Sequence, residues 1–145
     1  MTTKRRTAAA LALALAGAAC AHEAPKPEVS VMSVEQWHGM RGGPNEPGAL
    51  AATDAASWRG IWNRLGQPAP DFDASKFVGA AVFVGERPTG GWRAEIAATQ
   101  DGDDLIARWK IIKPGGFTTQ IITAPWLVRV FPRPKGRFIL EKAPE

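Results

Sequence analysis

The chain has 145 residues, with 18 basic and 14 acidic side chains, one cysteine and six tryptophans. That length suits one domain with a modest core, and a single cysteine rules out an internal disulfide. Setting aside Lys4, Arg5 and Arg6, the remaining 15 basic and 14 acidic side chains are scattered, which excludes the clustered basic face that a nucleic-acid partner requires.

Residues 1–7 carry the three leading positive charges, and residues 8–19 form an uncharged Ala/Leu run. Small residues, Gly17-Ala18-Ala19, then precede Cys20. This is the pattern of a secretory signal over residues 1–19. The apolar run is well short of the ~20 residues a helix needs to cross a bilayer. Its end resembles a bacterial lipobox, although Gly17 stands where leucine is usual. The resemblance implies cleavage before Cys20 and lipid attachment to Cys20, hence a domain anchored in the bacterial envelope on the periplasmic side or at the outer membrane. Ordinary cleavage after Ala21, giving a secreted or periplasmic soluble protein, is the alternative. With its two prolines and mixed charges, the segment 20–28 reads as a solvated tether.

The domain is expected over residues 29–142, with 143–145 as a tail. Val29, Val31 and Val34 mark a first strand over 29–37, residues 40–47 a glycine-rich loop, and 49–53 a short edge strand. In the segment 54–65, Trp58, Ile61, Trp62 and Leu65 fall at i, i+3, i+4 and i+7, the apolar stripe of an amphipathic helix. Thr53 or Asp54 can cap its start, and Gly66 with Pro68 can end it. Residues 67–74 read as a loop in which Phe72 packs inward between Asp71 and Asp73.

Residues 77–86 and 92–99 read as the two strands of a hairpin with a displayed tip, the first central and the second half-exposed. A turn with Asp-Gly chemistry over 100–104 leads to residues 105–112, where Leu105, Ala107, Trp109 and Ile111 alternate with Arg108 and Lys110. After a turn at 113–116, strands are expected over 118–123, 126–131 and 137–142. The fold class is therefore α+β, mainly antiparallel β: about seven strands in a sandwich or strongly curved sheet, with one helix packed on it.

Catalytic chemistry finds little support. The histidines are His22 in the tether and His38 beside Trp37, and no serine sits in a nucleophile-elbow context. Zinc needs more His or Cys ligands than the chain offers. Asp71 and Asp73 have too few acidic neighbours for a hard-cation site. An acidic pair such as Asp71 with Glu86 would suit glycosidase-like hydrolysis, but nothing in the sequence brings the two together. The expectation is no enzyme, no cofactor and no metal, with a small acidic-residue hydrolase as the remotest alternative.

Several of these segments together resemble the PrcB C-terminal domain family, named after a subunit of a bacterial surface protease complex. They are the tryptophan-rich helix, Asp71-Phe72-Asp73, the apolar strand leading to Gly85-Glu86-Arg87-Pro88-Thr89-Gly90-Gly91-Trp92, and Ala124-Pro125-Trp126-Leu127-Val128. The resemblance runs over residues 29–142, with Trp92 and Trp126 standing where the family usually has tyrosine or another aromatic. It implies an exported, often lipid-anchored, non-catalytic domain that binds or stabilises an extracellular protease or another envelope protein. The expected partner-binding residues are Arg87, Pro88, Thr89, Gly90, Gly91, Trp92 and Trp126, together with the turn 113–117. Arg87-Pro88-Thr89-Gly90-Gly91-Trp92 is also similar to the Asn-Pro-Thr-Thr-Gly loop of chagasin-type cysteine-protease inhibitors. That similarity implies an alternative in which loops 87–92, 113–117 and 124–126 enter a protease cleft. Oligomeric state is not expressed in any of these residues.

Overall fold

The structure, a computed structural model, describes residues 28–145. The expected signal segment, Cys20 and all of the tether but Glu28 lie outside the described residues. Eight strands and one helix follow in the order β1 (Val29–Val31), β2 (Glu35–Gly39), β3 (Gly48–Ala52), α1 (Ala55–Arg64), β4 (Phe77–Phe83), β5 (Arg93–Asp101), β6 (Asp104–Ile112), β7 (Trp126–Pro132) and β8 (Phe138–Lys142). They build two four-stranded sheets, ordered β1-β5-β6-β8 and β2-β7-β4-β3. All pairings are antiparallel except β6 with β8, which is parallel. The α+β sandwich with one packed helix is as the sequence predicts.

Three layers result, with an apolar zone on each side of the second sheet. Between the sheets lie Val78, Ala80 and Val82 of β4, Ile96 and Ala98 of β5, Leu105 and Ala107 of β6, and Leu127 and Phe131 of β7. On the other face of that sheet, α1 presses Trp58, Ile61 and Trp62 onto Ala81 and Phe83 of β4 and Trp126, Val128 and Val130 of β7. Because β4 is covered on both faces, its side chains are apolar without alternation. At Gly79 the Trp58 ring comes so close that an added Cβ would lie 2.9 Å from Cζ3, which is why no side chain fits there.

The helix forms where the apolar stripe predicts it. Asp54 accepts a bond from the Ser57 amide at 2.7 Å, and the Asp54 amide donates back to the Ser57 hydroxyl at 3.2 Å, closing a capping box. Trp58, Trp62 and Leu65 are buried, and Phe72 stacks on Trp58 with ring centroids 4.4 Å apart. The β5–β6 hairpin also matches expectation, turning at Gly102 with Asp101 opposite Asp104.

Three expectations are corrected. Residues 77–86 and 92–99 do not form a hairpin: β4 pairs with β3 and β7, whereas β5 pairs with β1 and β6. The segment 84–92 therefore arches from one sheet to the other, because β4, apolar on both faces, is taken up between β3 and β7 in the sheet under α1, while β5 turns back on its neighbour β6 and pairs with β1. The expected strand over 29–37 is two strands, β1 on β5 and β2 on β7, with residues 32–34 crossing between sheets. Residues 118–123 form no strand; their single bridge joins Thr123 to Arg87.

Candidate functional site

The arch 84–92, the long connection 113–125 and the loop 40–47 meet at one end of the sandwich. The strands dictate this meeting. β2 and β4 end there at Gly39 and Phe83, β7 begins there at Trp126, and Arg93 at the start of β5 pairs with Ile112 at the end of β6. Nine residues of β5 separate this end from the Asp101–Asp104 turn, roughly 27 Å at 3.4 Å per residue. The described chain enters at that far turn, where Val29 pairs with Gln100.

Backbone hydrogen bonds join the three loops into one body. The Val84 amide donates to the Pro125 carbonyl at 2.9 Å, and the Glu86 amide to the Asn45 carbonyl at 2.9 Å. The amides of Arg87 and Thr123 donate to each other's carbonyls at 2.8 and 2.9 Å, and Gly90 donates to Thr119 at 2.9 Å. Ala124 and the loop 40–47 are tied both ways, by Ala124 to Met40 and by Gly43 to Ala124, each at 3.0 Å. Thr123, only 1% exposed, places its hydroxyl on the Thr89 carbonyl at 2.8 Å. Buried backbone polar groups are thus paired, and the loops are held without a regular sheet.

Within the arch, the expected binding residues separate into two kinds. Pro88 and Gly91 are exposed, Arg87, Thr89 and Trp92 half-buried, and Gly90 buried against Thr119. Gly91 takes φ +86°, and an added Cβ would lie 2.7 Å from the Pro114 side chain, so close packing of arch on connection requires glycine. Arg87 lays its guanidinium 4.2 Å from the Trp92 ring centroid, and the Trp92 indole donates to the Thr89 hydroxyl at 3.3 Å. Trp126, by contrast, is 6% exposed, packs against Trp62 and donates to the Arg41 carbonyl at 3.0 Å. It is largely an interior side chain, contrary to the display expected of it, because β7 directs it towards α1.

Sequence reasoning placed the turn 113–117, and with it Phe117, in the binding surface, but missed Met40, Ile121 and Ile122, which also project from this body. Phe117, Ile121, Ile122 and Met40 are exposed, and all four sit on the joined loops. The remaining large exposed hydrophobics among the described residues, Val29, Met32 and Val34, lie along β1 and the crossing to β2. Two adjacent exposed isoleucines in what reads as an alternating strand were the available signal, since a half-buried strand would hide one of them.

The acidic residues do not assemble. Asp71 precedes β4 and lines a shallow cleft with Phe72, Asp73 and Phe77, whereas Glu86 follows β4 at the other end; all three acids are exposed. Hydrogen bonds from the Ser75 hydroxyl and amide hold the Asp73 carboxyl below its ordinary value, as an exposed turn residue. Among the described residues, no group of three or more His, Cys, Asp or Glu side chains could hold a metal ion, and no helix is long and apolar enough to cross a membrane.

Residues 80–132 match the family model described as PrcB C-terminal. The match supports the PrcB C-terminal domain family for this chain. It runs from the middle of β4 to the end of β7, so it takes in the arch, the β5–β6 hairpin and the connection 113–125. No curated protein and no solved structure matches the chain.

Proposed function

We propose that this is an exported, lipid-anchored, non-catalytic domain that binds an envelope or surface protein through the joined loops at one end of its sandwich. The PrcB C-terminal match suggests association with a protease complex. The observation that carries the reading is the contrast within those loops. Their backbone is hydrogen-bonded into a rigid body, while Phe117, Ile121 and Ile122 stand out into solvent. Preorganised loops bearing apolar side chains lose little freedom on binding, which favours association. A lipid on Cys20 would leave this end facing away from the membrane, because Glu28 enters the domain at the opposite end.

The inhibitor alternative receives less support. Its loops 87–92 and 113–117 are at this end, but Pro125 and Trp126 are buried, which leaves two displayed loops where a three-loop wedge is needed. The acidic hydrolase has Asp71 and Glu86 at opposite ends of a seven-residue strand.

The test is site-specific photocrosslinking in intact envelopes. A photoreactive residue at position 117 should give a discrete adduct with one protein, and one at the exposed Arg59 of α1 should not. Equal labelling at both positions, or none at position 117, would rule the surface out. Fatty-acid labelling that disappears in Cys20→Ala tests the anchor.

A further inference from the structure

Beside the joined loops lies a groove of about 480 Å³, walled by the sheet ends at β6 and β8, the arch, and residues 143–145. Its lining combines cations with aromatic rings. Four cations line it, Arg87, Lys110, Lys113 and Lys142, with the indoles of Trp92 and Trp109 between them. Arg87 lies over Trp92 and Lys142 over Trp109, with the Lys142 ammonium 5.8 Å from the ring centroid. Only one of the four cations, Lys110, has an acidic partner among the described residues. That partner is Glu95 at 3.5 Å, which is shared with Arg93 at 3.2 Å. The Arg87 guanidinium donates to the Val84 carbonyl at 3.1 Å, and its buried Nε finds no acceptor.

We propose that this groove is a docking site for an acidic, extended peptide segment of the protein partner. The inference rests on the protein-binding reading above and adds the chemistry of what is bound. Two observations select a peptide. First, a main-chain edge borders the groove: β8 is the last strand of its sheet, and residues 143–145, which follow it with the Ala143 amide donating to the Trp109 carbonyl at 2.8 Å, form part of the wall. The side chain of Glu145 is the single acid on its wall. Second, the cations are spread over four positions with flat indoles between them. A small anion would engage one or two, whereas carboxylates repeated along a backbone engage several and let the chain lie on the rings.

The ¹⁵N-labelled protein, titrated with an acetylated hexaglutamate peptide, tests this directly. The indole N–H signals of Trp92 and Trp109 should shift to saturation, and those of Trp58, Trp62 and Trp126 should stay in place. The double variant Lys110→Glu, Lys142→Glu should bind about tenfold more weakly or worse, with its buried indole signals unmoved as proof of folding. Added salt should weaken binding in the parent protein, since these charges are exposed to screening. Absence of shifts, shifts of equal size in the double variant, or equal shifts from hexalysine would overturn the proposal. Inorganic phosphate reproducing the shifts at the same concentration would do so too, as a simple anion site. If crosslinking from position 117 succeeds while this titration fails, the groove alone is wrong; if crosslinking fails as well, the protein-binding reading goes with it.

Discussion

The six tryptophans divide into two groups that do different jobs. Trp37, Trp58, Trp62 and Trp126 meet edge to face in the layer under α1, with centroids 5.4 to 5.9 Å apart and Trp62 touching the other three. Trp92 and Trp109 line the basic groove, each with a cation over its ring, and Trp109 also packs against the edge of the core between the sheets. Burial area alone does not separate the groups, because every indole hides much of its surface. What separates them is the group that closes the open face of the ring. Another aromatic makes the indole part of the core, while a cation leaves a charged surface that a ligand can share.

The largest effect that would break this division is at Trp62. At 2% exposure and with three aromatic neighbours, Trp62→Ala should cost about 3–5 kcal/mol, read as a lower urea midpoint at unchanged slope. A cost below about 1 kcal/mol would show that the aromatic layer repacks freely. Gly79→Ala comes next. Its methyl would meet the Trp58 ring at 2.9 Å, so the helix must shift outward, at an expected cost of about 1–3 kcal/mol. Trp92→Phe should change stability little, about 1 kcal/mol or less, since it keeps an aromatic ring under Arg87 and gives up only the long indole bond to the Thr89 hydroxyl. It should still weaken capture of the crosslinked partner. Loss of the fold in that variant would move Trp92 into the structural group.

The same division shows what the sequence could reveal. The helix was legible because Trp58, Ile61 and Trp62 repeat at the spacing of one helical face, a property of ten consecutive residues. The β5–β6 hairpin was legible because alternation and an Asp-Gly turn act over adjacent residues. The arch 84–92 was not. Proline and glycines between two apolar segments look alike whether the chain doubles back or crosses to another sheet. The choice is made by β7, which pairs with β4 from more than forty residues away. Trp126 was misjudged for a related reason. Its neighbours Ala124 and Pro125 signal a turn, but the face it occupies is fixed by pairing with Gly39 and Phe83. The basic groove was illegible as well, since it joins Arg87, Trp109 and Lys142 across three separate segments.

A smaller effect sharpens the comparison by pH. The Ser57 amide and hydroxyl hold the Asp54 carboxyl below its ordinary value of 3.8, and the Arg137 amide and guanidinium do the same for Asp104. A carboxyl whose folded value is lowered binds fewer protons folded than unfolded. Its contribution to stability is therefore complete well above pH 3.8 and is lost as pH falls through the lower folded value. Asp54→Asn retains a capping side chain but removes the titration. The stability difference between the parent and this variant should shrink as pH drops below 3.8, measured by urea unfolding at a series of pH values. The penalty of Trp62→Ala should stay constant over the same range, because the aromatic layer contains no titrating group. If both differences shrank together, acid would be loosening the layer under α1 as a whole, and the capped helix and its tryptophans would have to be treated as one cooperative element.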